Sequence, residues 1–317
     1  MANFAAVAME ESMKISVIIP TYNSADTIAA CMDSVLRQSF TDFGLIVVND
    51  GSTDGSGDII DGFARRDDRV RVVHQPNKGR SEARRKGVEM ATGEWVCFVD
   101  SDDTLPLDAL ENLARGITAD VDIVFGNGYS LKDERRATIP MTEFRHLAVR
   151  GEGMIGLPWG SLYRRSVVTN HLFDLPRRIM MGEDYIFWLR LVFSTEKPVS
   201  IVYEKVYDKG EEHTSNSFRW TAAYAHELNE LRREAIPQSQ HREFMADMLS
   251  DRLENMFSVA LWTPRREWAG SPFYRELLTD MKANGKSLSP KGRLFLSLPS
   301  LRLRRLYSRL SELLARL

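Results

Sequence analysis

The sequence predicts an α/β fold: an open, mainly parallel sheet with helices on both faces, followed by a helical C-terminal region. Three observations predict it. Short β-branched, apolar runs alternate with segments whose apolar residues recur at helical spacing, from about Lys14 to Gly128. This alternation is typical of parallel strands joined by right-handed crossovers. From Phe218 onward the spacing is helical, with Pro237 and Pro264 as expected interruptions.

The alternating elements follow one another in a regular order. The first strand ends at Pro20, and the helix after it carries Ile28, Met32 and Val35 at helical spacing. Strands are predicted at residues 14–20, 44–50, 70–74, 94–100 and 121–127. Helices are predicted at residues 26–38, 58–66, 79–91 and 107–117.

The alternation fails after Gly128. Residues 129–215 combine strands and loops with one clear helix at 183–193. We therefore expect three parts in the chain, which are a disordered leader at 1–13, a sheet domain at 14–217 and a helical region at 218–317.

Composition excludes several classes of function. The chain has 317 residues and a formal net charge of -2, which argues against the basic surface of a nucleic-acid binder. Cys31 and Cys97 stand outside any Cys/His cluster, which argues against zinc and disulfide frameworks. The sequence has no apolar run of about 18 residues and no basic region at its start, so we expect neither a spanning helix nor a signal peptide. We expect a cytoplasmic protein, either free or at the inner face of the membrane.

Mostly polar residues follow three of the predicted strands. They are Pro20, Thr21, Tyr22 and Asn23 after the first strand, Asn49, Asp50, Gly51, Ser52, Thr53 and Asp54 after the second, and Asp100, Ser101, Asp102 and Asp103 after the fourth. The carboxyl ends of parallel strands lie at one edge of a sheet, where ligands of open α/β proteins bind. We therefore expect these groups to line one cleft.

The carboxylates of this set predict a divalent cation. Asp100 and Asp102 are two residues apart, so they point the same way in an extended chain. An oxygen-rich, cysteine-poor set of ligands selects Mg²⁺ or Mn²⁺, and the cation implies an anionic partner such as a diphosphate. The alternative is that Asp103 and Asp108 only cap the next helix. Residues 50–58 match neither a complete EF-hand loop nor a nucleotide-binding glycine-rich loop.

In their order along the chain, these motifs resemble the large family-2 inverting glycosyltransferases, which have the GT-A fold. The resemblance covers residues 14 to about 217. It is carried by SVIIPTYN (16–23), VVNDGSTD (47–54), NKGRSEARRKG (77–87), ATGEWVCFVDSDD (91–103), WGSLYRRS (159–166) and GEDYIFWLRL (182–191). It implies metal-assisted transfer of a sugar from a nucleotide-diphosphate donor, with UDP the commonest in the family, to a hydroxyl of a glycan or lipid-linked acceptor.

The resemblance also implies roles at the donor. Tyr22 would stack on the nucleotide base, and Asp50 would accept a hydrogen bond from a base N–H. Arg84 would lie near the donor phosphates, although Arg85 stands where the family often has Asn. The remaining residues assigned to the donor site are Pro20, Thr21, Asn23, Asp100 and Ser101.

Two further roles concern the metal and the reaction. Asp102 is the predicted metal ligand, and His213, in a segment expected over the phosphates, is assigned to the same site. Asp184 follows Glu183 at the start of a helix and is the predicted catalytic base. The alternative for Asp184 is a charge that stabilises the helix N-terminus.

For several other side chains, a structural role is either expected or is one of two alternatives. Trp159 and Tyr163 line the acceptor pocket or belong to the core. Asp54 is expected to cap the following helix. A solvated helix face is expected for Arg80, Arg85 and Lys86.

Residues 290–317 predict a basic amphipathic helix. Leucines recur there at helical spacing, and Arg302, Arg305 and Arg309 occupy another face. The helix docks on an anionic membrane surface, packs on its own domain, or binds a second subunit. The sequence leaves these alternatives open.

Two other functions compete with sugar transfer. A sugar-phosphate nucleotidyltransferase would need a basic, glycine-rich loop after the first strand, and PTYNSAD at residues 20–26 lacks one. A non-catalytic scaffold related to glycosyltransferases is the second alternative.

Overall fold

The computed structural model describes residues 14–131, 135–210 and 220–315. The chain divides into two compact units. The first comprises Met1–Phe144 with Gly153–Glu211, and the second comprises Arg145–Glu152 with Glu212–Leu317. The predicted leader and His213 lie outside the described residues.

The first unit contains a mixed sheet of eight strands. Its strands are β1 Ile15–Thr21, β2 Phe43–Asn49, β3 Val70–His74, β4 Trp95–Phe98, β5 Ile123–Phe125, β6 Thr138–Ile139, β7 Ser161–Arg164 and β8 Val199–Ile201. They are arranged in the order β3-β2-β1-β4-β7-β5-β8-β6. The helices between them along the chain are α1 Ile28–Leu36, α2 Ser56–Ala64, α3 Arg80–Met90, α4 Ala109–Arg115, α5 Met141–Arg150 and α6 Glu183–Val192.

The predicted parallel sheet is confirmed for its first four strands. Strand β1 pairs in parallel with β2 and β4, and β2 pairs in parallel with β3. Beyond β4 the sheet is mixed, because β7 enters antiparallel between β4 and β5. Strand β8 is parallel to β5 and antiparallel to β6. The carboxyl ends of β1, β2 and β4 therefore open at one edge of the sheet.

Close packing places α3 against the centre of the sheet. All seven residues of β1 are buried, as expected of a central strand covered on both faces. At Gly87 a Cβ atom would come 2.3 Å from Cγ2 of Ile18, so any larger residue would push α3 outward. Gly87 thereby sets how closely Arg84, one turn earlier in α3, approaches the sheet.

Helix α6 is held on the sheet by aromatic packing. The ring of Phe187 makes edge contacts with Phe98 and Tyr163, at centroid distances of 5.8 and 5.6 Å. Trp188 contacts Tyr163 in the same way at 5.6 Å. Such edge-to-face pairs add about 0.5–1.5 kcal/mol beyond the area they bury. They fix the position from which the first turn of α6 presents its carboxylates.

The described part of the second unit is helical. It contains α7 Ala222–Ala235, α8 His241–Trp262, α9 Arg265–Trp268, α10 Pro272–Ala283, α11 Pro290–Ser297 and α12 Leu301–Ala315. Pro237 and Pro264 lie between helices, as predicted. The single tail helix predicted from the sequence is wrong, because residues 298–300 separate α11 from α12. None of the helices in the described ranges combines the length and hydropathy that a membrane crossing needs.

A buried arginine joins α12 to the end of α8. The guanidinium of Arg304 is fully buried and donates to the carbonyl oxygens of Ala260, Thr263 and Leu298 at 2.7, 2.9 and 2.8 Å. The last carbonyls of a helix have no partner within it, so Arg304 supplies the missing donors at α8. Together with Tyr307, which packs against the core of this unit, it makes α12 part of its own domain. The side chains of Leu303 and Leu306 remain exposed.

Replacement of Arg304 by alanine should destabilise the second unit. Three buried or partly buried carbonyl groups would lose their donor, which we expect to lower the free energy of unfolding by about 3 kcal/mol. Arg302→Ala, on the exposed side of α12, is the matched control and should change it by less than about 0.5 kcal/mol. Differential scanning calorimetry resolves the transition. Equal stability of the two variants would contradict this role of Arg304.

Candidate active site

The loop after β1 is tied to the loop after β2. Asn23 has a positive φ of 49°, a left-handed conformation that asparagine tolerates. Its Oδ1 accepts from the backbone N–H of Thr53 at 2.9 Å, and its own N–H donates to Oγ of Ser52 at 3.0 Å. Next to it, Tyr22 is 51% exposed, and the buried hydroxyl of Thr21 has no hydrogen-bond partner in the described chain. Asn23 shapes the edge, Tyr22 retains an exposed ring, and Thr21 retains a buried hydroxyl with no partner in the described chain.

Asp50 is buried and holds the segment that leads into α3. Its carboxylate accepts hydrogen bonds from the N–H groups of Lys78 and Gly79, both at 2.8 Å, and from Nε2 of Gln75 at 2.7 Å. A carboxylate has about four acceptor positions, so at most one remains for a nucleotide base. Asp50 was predicted to contact the nucleotide base, and these three hydrogen bonds were not predicted from the sequence.

Asp54 binds the first residue of α2, although Gly55 rather than Asp54 occupies the N-cap position. Its Oδ1 accepts from the N–H and hydroxyl of Ser56 at 3.1 and 2.6 Å, and its Oδ2 accepts from the N–H of Ala25 at 2.9 Å. These hydrogen bonds, that of the Ser56 hydroxyl foremost, lower the pKa of Asp54. Its oxygens are thus used within the protein.

The three carboxylates after β4 have three different environments. Asp103 is buried and accepts from the hydroxyl of Tyr207 and the N–H of Gly210, both at 2.7 Å. Asp100 contacts Arg84, and its backbone N–H donates to the same Tyr207 hydroxyl at 3.0 Å. Asp102 is exposed, and its carboxylate has no hydrogen-bond or ion-pair partner within the described ranges.

Asp103 therefore holds a structural position. Burial raises its pKa above the ordinary value, against the opposing effect of the two hydrogen bonds. At Gly210 a Cβ atom would come 2.1 Å from the carbonyl oxygen of Asp102, so only glycine allows this approach of the two segments. Ser101, between the two acids, shares a hydrogen bond of 2.8 Å with Ser24 after β1.

Arg84 bridges Asp184, the candidate base, to Asp100 in the loop that follows β4, called the β4 loop below. Its guanidinium is 3% exposed and contacts Oδ1 of Asp100 at 2.8 Å and Oδ1 of Asp184 at 2.5 Å. Burial alone would lower the pKa of Arg84, but the two carboxylates hold it above the usual value. Arg84 was predicted to lie near the donor phosphates. The structure instead gives it two carboxylate partners, and the geometry supports a role in positioning Asp100 and Asp184.

A second ion pair lies beside the first. Arg80 contacts Glu183, whose side chain is only 6% exposed. Burial, together with the neighbouring charge of Asp184, raises the pKa of Glu183, and Arg80 opposes that rise. Arg80 has the exposure expected of a solvated helix face, with 44% of its side chain accessible, and its guanidinium also pairs with the carboxylate before Asp184. For Arg85 and Lys86 the pairs are local, to Glu82 and Glu89 on the same helix.

Trp159 and Tyr163, which were predicted either to line the acceptor pocket or to belong to the core, are both buried. Tyr163 is fully buried and donates to the carbonyl of Pro158 at 2.7 Å. Trp159 is 6% exposed and stacks on Tyr207 with ring centroids 4.3 Å apart and planes 14° from parallel. Both belong to the core, and Trp159 supports Tyr207 beneath the β4 loop. No local pattern around Tyr207 indicated this role, since its partners are more than 100 residues away along the chain.

The oxygen ligands at the carboxyl ends of β1, β2 and β4 suit a hard divalent cation. Asp102 offers an exposed, unpaired carboxylate, and oxygen donors suit Mg²⁺ or Mn²⁺. These ions keep several water or phosphate ligands, so one or two protein carboxylates are sufficient. The described residues do not form a cluster of three such ligands at this edge. The other predicted metal residue, His213, lies outside the described part of the chain.

Sequence comparison connects these residues with known proteins. The family model described as Glycosyl transferase family 2 matches residues 16–181. EpsH of Bacillus subtilis is 32% identical over 209 residues, which are 62% of this chain and 60% of that protein. EpsJ of the same organism is 35% identical over 208 residues, with 61% and 60% covered. The chain thus spans about 60% of the length of these relatives.

Solved structures share the fold. TarS 1–349 of S. aureus in complex with UDP matches with a TM-score of 0.61 at 18% identity, covering 87% of this chain and 93% of that one. The mannosyltransferase PcManGT of Pyrobaculum calidifontis, in complex with GDP-Man and Mn²⁺, matches with a TM-score of 0.55 at 18% identity, covering 95% and 84%. These matches confirm the predicted GT-A-like fold class.

Replacement of Tyr207 by phenylalanine should weaken the hold on the β4 loop. It removes one of the two hydrogen-bond donors to the buried Asp103 carboxylate, the other being the N–H of Gly210, and it removes the acceptor of the Asp100 N–H. We expect this to cost about 1–3 kcal/mol of unfolding free energy. Tyr129→Phe is the control, because the exposed hydroxyl of Tyr129 makes only long contacts of 3.3 and 3.4 Å.

A double-mutant cycle tests the same contact. Tyr207→Phe combined with Asp103→Asn should cost less than the two single changes together, as measured by denaturant unfolding. Additive costs would show that the two side chains are independent and would contradict the assignment.

Proposed function

This chain belongs to glycosyl transferase family 2, and from that premise we propose that it transfers a sugar from a nucleotide-diphosphate donor to an acceptor hydroxyl. The observation that carries the proposal is the Arg84 bridge. It brings Asp184, at the start of α6, to the same guanidinium as Asp100, at the donor edge of β4. An inverting transfer requires a carboxylate close to the donor, where it can accept the proton of the acceptor hydroxyl.

The donor would lie along the carboxyl ends of β1, β2 and β4. The half-exposed ring of Tyr22 offers a face for the base, and Asp50 has one acceptor position left beside it. Thr21, buried at the end of β1, has a hydroxyl with no partner among the described residues. Ser101, in the loop after β4, is hydrogen-bonded to Ser24 in the loop after β1. We propose UDP as the nucleotide, in keeping with the UDP bound to TarS.

Asp102 would hold Mg²⁺ or Mn²⁺, with His213 as a further proposed ligand. When bound, the cation neutralises charge on the leaving diphosphate. Asp184 accepts the proton of the acceptor hydroxyl as that oxygen attacks the anomeric carbon. Arg84 holds the carboxylate of Asp184 in place through an ion pair of 2.5 Å. Because one carboxylate acts and no protein nucleophile is required, the displacement is single and inverts the anomeric configuration.

We propose a glycan or a lipid-linked sugar as the acceptor, in the synthesis of a bacterial surface polysaccharide. The resemblance of the sequence to enzymes of that type supports this class of acceptor. A nucleotidyltransferase would instead release pyrophosphate, and a non-catalytic scaffold would release neither product.

Nucleotide binding should depend on a divalent cation. At about 100 times the dissociation constant, UDP with Mn²⁺ should raise the melting temperature by roughly 5–10 °C, because a ligand that binds only the native state stabilises it by mass action. UDP alone should give a smaller shift, and GDP, dTDP and CMP serve as comparisons. Asp102→Asn should remove the Mn²⁺-dependent part.

Asp108→Asn is the matched control for that experiment, since Asp108 is an exposed acid close to Asp102 along the chain. It should behave like the unmodified protein. Absence of a shift with every nucleotide would sink the proposed donor site.

Asp184→Asn should separate catalysis from binding. The amide oxygen can still accept from Arg84 but cannot take up a proton, so transfer should slow by about 10²–10⁴ while the UDP-dependent melting shift is retained. Release of UDP in the presence of candidate acceptors measures the rate, and NMR of the product gives the anomeric configuration. The exposed Asp174→Asn variant is the control. Transfer near the unmodified rate in Asp184→Asn would remove Asp184 from the base role.

A further inference from the structure

A group of metal-ligating side chains lies in the second unit. His226 and Glu230 are four residues apart on α7, so they share one face of the helix. Glu276 extends from α10, a helix of the same unit. One ligand atom from each of the three side chains lies within 4.8 Å of the other two.

The imidazole of His226 has an unused ligand atom directed into this group. Its Nδ1 is buried and has no hydrogen-bond partner in the described chain. The nearest carboxylate oxygen is Oε2 of Glu276 at 3.7 Å, which is too long for a hydrogen bond. In a tetrahedral zinc site with bonds of 2.0–2.2 Å, ligand atoms are about 3.4 Å apart. The separation of these two atoms therefore matches ligands that share an ion better than it matches a direct bond.

The charges around the group also favour a cation. Arg252 donates to Asp280 at 2.6 Å through Nη1, and its Nη2 is 3.9 Å from Glu276. Glu230 receives only a 3.3 Å hydrogen bond from the amide of Asn229. The guanidinium of Arg252 thus lies beside two carboxylates, those of Asp280 and Glu276, and Glu230 adds a third acid to the group with no ion-pair partner in the described chain.

We propose that His226, Glu230 and Glu276 bind a divalent transition-metal ion of the Zn²⁺ type, with water as the fourth ligand. One imidazole and two carboxylates form a ligand set typical of zinc, whereas the oxygen donors near Asp102 suit Mg²⁺ or Mn²⁺. The ion joins α7 to α10 and stabilises the second unit. The site uses no cysteine, so the cysteine pattern of the sequence gave no sign of it.

The test uses the full chain, free of any histidine tag and treated with a chelator, titrated with Zn²⁺ and with Co²⁺ as a spectroscopic probe. We expect Zn²⁺ to raise the melting temperature and Co²⁺ to give the visible absorption of a tetrahedral site. Glu276→Gln and His226→Ala should weaken binding by at least about 100-fold, because loss of a direct ligand exceeds the effect of outer-shell changes. Glu276 is exposed, so its variant is expected to fold even if His226→Ala does not.

Three control variants separate this site from other binding. His171→Ala removes an exposed histidine of the first unit, and Glu234→Gln removes an exposed acid at the end of α7. Asp102→Asn removes the ligand proposed for the donor site. All three should bind Zn²⁺ like the unmodified protein. Equal affinity in Glu276→Gln, or affinity no better than millimolar in the unmodified chain, would overturn the proposal.

Discussion

A buried positive charge with two carboxylate partners is the constraint on which the polar edge of the sheet depends. Removing an ion from water costs several kcal/mol, and only close partners offset that cost. Arg84 meets this condition with Asp100 and Asp184, which belong to separate parts of the fold. The close approach of α3 at Gly87 fixes the depth of the guanidinium. Strand β4, α3 and α6 must therefore keep their relative positions for the charge to stay compensated.

The aspartates at the strand ends form two groups, according to what their carboxylate oxygens contact. Asp50, Asp54 and Asp103 accept hydrogen bonds from the protein itself and thereby hold neighbouring segments in place. Asp102 has an exposed carboxylate with no such contact in the described ranges. The cluster of aspartates is thus mainly a framework, and Asp102 is the member best placed to meet a ligand. The proposed zinc-type site in the second unit is assembled from a different set of donors.

The sequence predicted the strands and helices whose formation depends on local residue patterns. The β-branched runs and helical periodicities before Gly128 correspond to β1–β5 and α1–α4, and the motif order predicted the family. The insertion of β7 between β4 and β5 was not predictable, because antiparallel pairing of a four-residue strand depends on contacts distant in sequence. The same reason applies to the site. The base role of Asp184 remains a prediction from its motif, whereas the Arg84–Asp184 contact and the role of Tyr207 depend on partners about 100 residues away along the chain.

The shared guanidinium makes the two ends of the site thermodynamically dependent on each other. A ligand that draws Asp100 away from Arg84 leaves Asp184 as the remaining carboxylate partner of the buried guanidinium. By reciprocity, a ligand that draws Asp184 away from Arg84 alters the affinity of the first ligand by an equal factor. Occupancy at the end of β4 and occupancy at the start of α6 are therefore linked quantities, joined by a single side chain.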